Sequence, residues 1–205
     1  MAVNEYHFIT NWRMESTVQE VSEVIGNGTD LVRWWPSVYL EVKELEKGDE
    51  NGIGKVIDLY TKGWLPYTLR WRFRVVESLS PYGFTLEAWG DFVGRGIWTF
   101  RQDGKYVDIT YDLKIRADKP LLKKFSFIMK PIFSANHRWA MAMGEQSLKL
   151  ELARRHATSR EELARIPAPP QPTTSSPVPM LLGVAGVSTL VGGFLYFTVK
   201  NLRNK

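Results

Sequence analysis

Two stretches of strict alternation constrain this chain more than any other feature of its sequence. Between residues 69 and 75, Leu69, Trp71, Phe73 and Val75 alternate with Arg70, Arg72 and Arg74. Between residues 107 and 115, Val107, Ile109, Tyr111, Leu113 and Ile115 alternate with Asp108, Thr110, Asp112 and Lys114. Successive side chains of an extended chain point to opposite faces, so this pattern implies an antiparallel sheet with one covered and one wet face. Strands are predicted at Glu5–Asn11, Tyr39–Leu45, Gly54–Tyr60, Leu69–Leu79, Phe84–Trp89, Gly96–Gln102 and Val107–Arg116. Turn residues separate them: Lys47-Gly48-Asp49 with Asn51-Gly52, then Ser80-Pro81-Tyr82-Gly83, then Asp103-Gly104.

A sheet with an apolar face needs cover, and helical spacing supplies it in two places. Val18, Val21, Val24 and Ile25 recur at helical intervals after a capping box, either Ser16 with Gln19 or Thr17 with Glu20. Gly26-Asn27-Gly28 ends that helix, and a very short second one, DLVRWW, is closed by Pro36. The main cover is predicted from Lys119 to about Arg155. Pro131 is expected to break or kink it, leaving a short amphipathic piece and a longer helix from about Ser134. Trp139, Met143 and Leu150 form one apolar stripe, and Met141, Leu148 and Leu152 form another. A helix with two such stripes is expected to lie in the hollow of a curved sheet.

The C-terminal part is of another kind. No charged residue occurs between Arg165 and Lys200, and Val178–Val199 is a predominantly apolar run. As a helix that run would span about 33 Å, the hydrocarbon thickness of a bilayer. It is therefore expected to be a single transmembrane span, followed by a short basic tail, 200–205. Residues 1–156 are expected to form one folded domain, and 157–177 a linker, first charged and then rich in proline; the proline-rich stretch Ile166–Pro179 would reach about 35–40 Å if extended. Ala185, Thr189 and Gly193 offer a small-residue face through which two spans could pair as a homodimer. The N-terminus lacks a basic stretch followed by an apolar one, so it does not read as a secretory signal. This favours membrane insertion with the domain on the cytoplasmic side, although the basic residues that follow the span pull the other way.

Charge and composition narrow the chemistry. The net charge is +5 over 205 residues, and Lys114–Arg138 holds seven basic residues against the single acid Asp118. The excess is thus one local face and not a nucleic-acid-binding surface. With Cys 0 the chain can form no disulfide, thiol nucleophile or cysteine metal site. His7, His137 and His156 have no ligand spacing, so neither a metal nor a cofactor is expected. Gly94-Arg95-Gly96 and Gly52-Ile53-Gly54 lack the following helix that a phosphate cradle needs and read as turns. Asp108 and Asp112 share the wet face, where solvated pairing opposite Arg70, Arg72 and Arg74 explains them better than acid–base work.

The segments FITNWRM, DLVRWWPSVYLEVKELE, RWRFRVVE, GIWTF and EQSLKLELARR, with the helix around Ser22–Ile25, resemble the polyketide cyclase/dehydrase and lipid-transport family of the START-like (SRPBCC) superfamily. The resemblance covers about residues 3–155 and implies an α+β helix-grip fold, a curved antiparallel sheet around a long C-terminal helix. It further implies a deep apolar cavity between the two, and it carries over no catalytic residue. The residues expected to line that cavity are Trp35, Tyr39, Trp71, Phe73, Phe84, Leu86, Ile109, Tyr111, Leu113, Trp139 and Met143. Lys119, Lys123, Lys124, Phe125 and Lys130, in a cationic amphipathic segment, are expected to rest on a membrane surface. The function expected is membrane-anchored binding or transfer of a hydrophobic small molecule or lipid. The alternatives are a cyclase/dehydrase-type enzyme on a polyketide-like chain and an adaptor with a filled core.

Overall fold

The computed structural model describes residues 5–116, 120–174 and 178–179, with 120–129 and 178–179 described through the backbone alone. The elements are β1 Glu5–Glu15, α1 Val18–Gly26, α2 Leu31–Trp34, β2 Tyr39–Glu46, β3 Val56–Lys62, β4 Tyr67–Ser78, β5 Gly83–Gly90, β6 Val93–Asp103 and β7 Tyr106–Arg116. They are followed by α3 Pro120–His156, α4 Arg160–Arg165 and β8 Val178–Pro179. The strands form an antiparallel sheet in the order β1-β7-β6-β5-β4-β3-β2, with β8 added in parallel at the start of β4.

The alternation read from β4 and β7 holds. Val107, Ile109, Tyr111 and Leu113 are buried, and Arg70, Arg72 and Arg74 are exposed. The first strand runs four residues beyond its expected end, because Trp12 and Met14 continue the inward pattern and β7 pairs along its full length. Thr17 and Glu20 form the capping box of α1: the Glu20 N–H donates to Thr17 Oγ1 at 3.2 Å, and the Thr17 N–H donates to Glu20 Oε2 at 3.0 Å. The expected break at Pro131 is absent. One helix of 37 residues passes through it, since the loss of a single internal N–H leaves the rest of the ladder intact.

The inward face of α3 carries Met141, Gly144, Leu148 and Leu152, which recur at i, i+3, i+7 and i+11. Leu148 is fully buried. Glu151 shares that face, and both of its oxygens accept from Arg33 at 2.7 Å, tying α2 to α3. Gly94 and Gly96 lie inside β6 and not in a turn; only Gly52 and Gly54 sit in a connection, with φ of +80° and +86°. On the wet face, Asp108 pairs with Arg13 and Arg101, and Asp112 with His7. Arg70 and Arg72 pair with Asp58, and Arg74 with Glu46. Asp108 and Asp112 thus do not face the arginines of β4, because β5 and β6 stand between the two strands.

Past α4 the chain turns back onto the domain instead of extending away from it. Lys62 Nζ donates to the Thr173 carbonyl at 2.8 Å, and Thr173 Oγ1 donates to the Gly63 carbonyl at 3.3 Å. Arg154 donates to the Pro167 carbonyl. Val178 and Pro179 then pair with Tyr67 and Thr68, so the first two residues of the expected membrane helix form a strand. The remainder of that span, including the small-residue face, lies outside the described residues. Among the described residues no helix is long and apolar enough to cross a membrane.

Candidate functional site

Between the hollow of the sheet and α3 lie two chambers of about 390 Å³ and about 190 Å³. They share the walls Trp35, Tyr39, Trp71, Leu86, Tyr111 and Met141, so they adjoin, and these side chains form the waist that stands between them. The larger, outer chamber opens between α1, the β2–β3 connection and the β4–β5 connection, where Glu23, Asn27, Asn51, Lys55 and Ser80 make its rim polar. The smaller, inner chamber lies toward the β3–β4 connection and is walled by Tyr6, Phe8, Tyr67, Leu69, Phe92, Phe133 and His137, among others.

The waist is built of aromatic rings held by small residues. Trp35 packs against Trp12, Trp34 and Tyr39 with ring centroids 5.8, 5.4 and 5.2 Å away. It fits against α3 because Gly144 has no side chain, and a Cβ there would overlap the indole. Tyr111 stacks on Trp98 at 4.1 Å and 11°. Opposite it, a Cβ on Gly96 would lie 2.7 Å from the Tyr111 hydroxyl and 3.1 Å from Leu86. Both glycines are therefore required by close approach and not by backbone freedom.

The inner chamber combines apolar walls with neutral polar groups, and Lys62 and Asp91 are the charged side chains in its lining among the described residues. Burial raises the pKa of the Tyr39, Tyr67 and Tyr111 hydroxyls, so all three stay protonated. His137 stacks on Phe8 at 4.1 Å and 19°. Burial, with a smaller contribution from the Arg138 charge, lowers its pKa to about 4, and the ring is neutral at neutral pH. Its Nε2 is buried without a hydrogen-bond partner among the described residues. Asn136, one residue earlier, accepts from the Trp64 and Leu65 N–H groups at 2.9 and 3.3 Å and so pins the β3–β4 connection to α3. The strap at Thr173 holds the same connection from outside, through Lys62 and Gly63, both of which line the chamber.

Of the residues expected in the lining, Trp35, Tyr39, Trp71, Phe73, Phe84, Leu86, Tyr111 and Leu113 stand in the walls of one or both chambers. Ile109, Trp139 and Met143 do not. Ile109 is on the covered face, but it is buried between Trp12 and Phe100 on the neighbouring strands, where the core is closed. Trp139 and Met143 are two residues either side of Met141, about 200° around the helix, and so face away from the chambers. Lys130 is the member of the expected membrane-contact set whose side chain is described. Its ammonium lies 5.6 Å from the Tyr6 ring centre, against its own domain. Lys119, Lys123, Lys124 and Phe125 fall where no side chain is described. Among the described residues no cluster of three or more His, Asp or Glu side chains could hold a metal ion.

Sequence reasoning missed the inner end of the cavity: Tyr6, Phe8, Tyr67, Phe133 and His137. A signal for part of it was present, since Phe133, His137, Ala140, Met141, Gly144 and Leu148 fall on one helical face. Reading His137 only as a metal-ligand candidate concealed it.

No family model matches the chain, and no curated protein matches it. Solved structures do. The Zhui aromatase/cyclase from Streptomyces sp. R1128 superposes with a TM-score of 0.59 at 16% identity, over 75% of this chain and 97% of that one. A protein of Thermus thermophilus gives 0.58 at 11% identity, over 74% and 100%. The di-domain aromatase/cyclase BexL, from the BE-7585A biosynthetic pathway, gives 0.55 at 13%, over 77% of this chain and 52% of that one. At these identities the likeness is one of fold. The described chain has the α+β helix-grip architecture found in the aromatase/cyclases.

Proposed function

We propose that this domain binds a hydrophobic small molecule in the cavity between sheet and helix. The observation that carries this reading is the pair of adjoining chambers, walled by aromatic rings and provided with a few polar groups. A packed core would fill such space, whereas apolar cavities with a few convergent polar groups are the usual form of small-molecule sites. That solved structures with this fold include aromatase/cyclases supports it. Removing the ligand's apolar surface from water supplies the affinity, at about 25 cal/mol per Å². In equilibrium dialysis of the full chain, naphthalene is expected to bind, and Trp35→Ala to change its affinity. A chain that retained no naphthalene would overturn the reading.

A second reading, a cyclase/dehydrase-type enzyme on a polyketide-like chain, is favoured by one observation. His137 is a neutral imidazole in the wall of the inner chamber, and an ionisable group there is what such chemistry requires.

The reading extends to a membrane-tethered domain, with residues after Pro179 forming a single span and the domain on the cytoplasmic side. Its support is the apolar, uncharged run to Val199. Val178 and Pro179 lie beside Tyr67 of the inner chamber, so the chain would enter the bilayer close to the ligand cavity. In flotation through a density gradient, the full chain is expected to rise with vesicles after alkaline carbonate washing. Its recovery in the wash would sink the tether and leave the cavity reading untouched.

A further inference from the structure

Two side chains that line the inner chamber carry a buried polar atom with no hydrogen-bond partner among the described residues, Trp35 at the waist through Nε1 and His137 beyond it through Nε2. Buried polar atoms are paired in the great majority of cases, and one left alone costs free energy. The His137 ring is not free to swing toward a partner elsewhere. It is stacked on Phe8, which in turn lies 6.0 Å from Tyr6, and Tyr6 makes an edge contact with Phe133 one helical turn before His137. Phe133 also makes an edge contact with Tyr67. The imidazole is therefore held by apolar packing in the chamber wall, and not by a hydrogen bond from Nε2. The strand and helix that carry this aromatic frame would stay packed if residue 137 were phenylalanine.

We propose, resting on the cavity reading above, that His137 Nε2 is the recognition point for a hydroxyl group on an otherwise apolar, ring-shaped ligand bound in the inner chamber. The chemistry selects this class. A neutral imidazole nitrogen carries either a lone pair or a hydrogen, and a hydroxyl can answer both, donating to the first and accepting from the second. An anionic headgroup finds less here. The chamber's tyrosines stay protonated, His137 is neutral, and the Lys62 ammonium is engaged with the Thr173 carbonyl. The aromatic lining, with ring pairs such as Trp71–Phe92 at 4.9 Å, suits a flat ring better than a flexible chain.

The test uses two probes of nearly equal shape, naphthalene and 2-naphthol, in equilibrium dialysis with the full chain. Partition alone favours naphthalene, because water solvates the hydroxyl. A hydrogen bond at a buried site reverses the order, and 2-naphthol is expected to bind about tenfold more tightly. In His137→Phe the ring contact with Phe8 is kept, and the ratio of the two affinities is expected to fall to that of partition alone, with 2-naphthol binding no more tightly than naphthalene. If that variant fails to fold, the imidazole nitrogen signals of ¹⁵N-histidine-labelled parent protein decide the matter. The Nε2 signal of His137 is expected to move with 2-naphthol and to stay in place with naphthalene. A parent with no preference for 2-naphthol, a preference that survives in His137→Phe, or a nitrogen signal that answers both probes alike would each overturn the proposal. Failure of naphthalene itself to bind would instead overturn the cavity reading on which it rests.

Discussion

Replacing Trp35 with alanine is expected to cost about 3–4 kcal/mol of folding stability and to merge the two chambers into one. Trp35 is 4% exposed and touches Trp12, Trp34, Tyr39 and the bare backbone of Gly144, so no neighbour is placed to collapse into the space it leaves. Truncations of buried Trp or Phe to Ala cost about 3–5 kcal/mol, and the upper end is not expected here. The Trp35 Nε1 is itself buried without a partner among the described residues, so its removal relieves a cost the parent already bears. For a folded domain of roughly 150 residues the loss corresponds to about 6–16 °C in Tm. The functional consequence is the more telling. With the waist gone, a long rigid probe such as pyrene should gain affinity relative to naphthalene, because one cavity then spans the length of both chambers. Urea unfolding measures the first effect and paired dialysis the second. An unchanged ratio of the two probes would mean that Trp35 does not divide the site.

The second large effect is expected at Glu151. Its carboxylate is almost wholly buried, accepts two hydrogen bonds of 2.7 Å from Arg33, and lies 3.4 Å from Arg155 Nε. Breaking a buried pair costs about 3–5 kcal/mol where the surviving charge stays buried. The Arg33 side chain is 52% exposed, so water can take over its charge, and about 2–3 kcal/mol is expected for Glu151→Ala. Glu151→Gln keeps one acceptor and should lose about half of that. Burial pushes the Glu151 pKa upward, but hydrogen bonds and charge from Arg33 and Arg155 outweigh it and hold the carboxyl below its ordinary value of 4.5. A carboxyl depressed in the folded state contributes stability that is present above the unfolded pKa and is lost as pH falls through the folded one. Glu20 acts in the same direction. The Ser16 hydroxyl and the Thr17 N–H are the main causes that bring it to about 2. Stability of the parent is therefore expected to decline below about pH 4.5 and on toward pH 2. Glu151→Gln should decline less steeply over that window. Urea midpoints at pH 7 and pH 3 provide the check, and equal slopes for parent and variant would remove Glu151 from the account.

Much of this architecture is visible in the chain as letters. Strand alternation depends only on backbone geometry, so the residues of β4 and β7 announce which side each takes. The Thr17–Glu20 box is likewise local, since both hydrogen bonds form within one turn. Where the reading went astray, the deciding partner was remote. Asp108 and Asp112 found Arg13, Arg101 and His7, because sheet order puts β1 and β6 beside β7. Trp139 and Met143 have the composition of a lining, but Gly144 lets the helix approach Trp35 on another side. The proline-rich stretch read as an extended spacer because proline stiffens a chain, while its return to Lys62 and Gly63 depends on where β3 ends in space.

The seven strands of the sheet, its two faces and a helical cover after them were settled by the order of residues, for these follow from periodicities that each segment carries alone; that the cover runs unbroken through Pro131, and that Val178 and Pro179 pair as a strand, was not. Where the space lies was settled only by folding. Whether side chains meet or leave a gap depends on the curvature of seven strands and on the depth at which α3 sits among them. That depth is set by contacts between residues more than a hundred positions apart, Trp35 with Gly144 and Arg33 with Glu151 among them. No local pattern encodes such a distance, so the waist, the inner chamber and the position of His137 within it appear only once the chain has closed on itself.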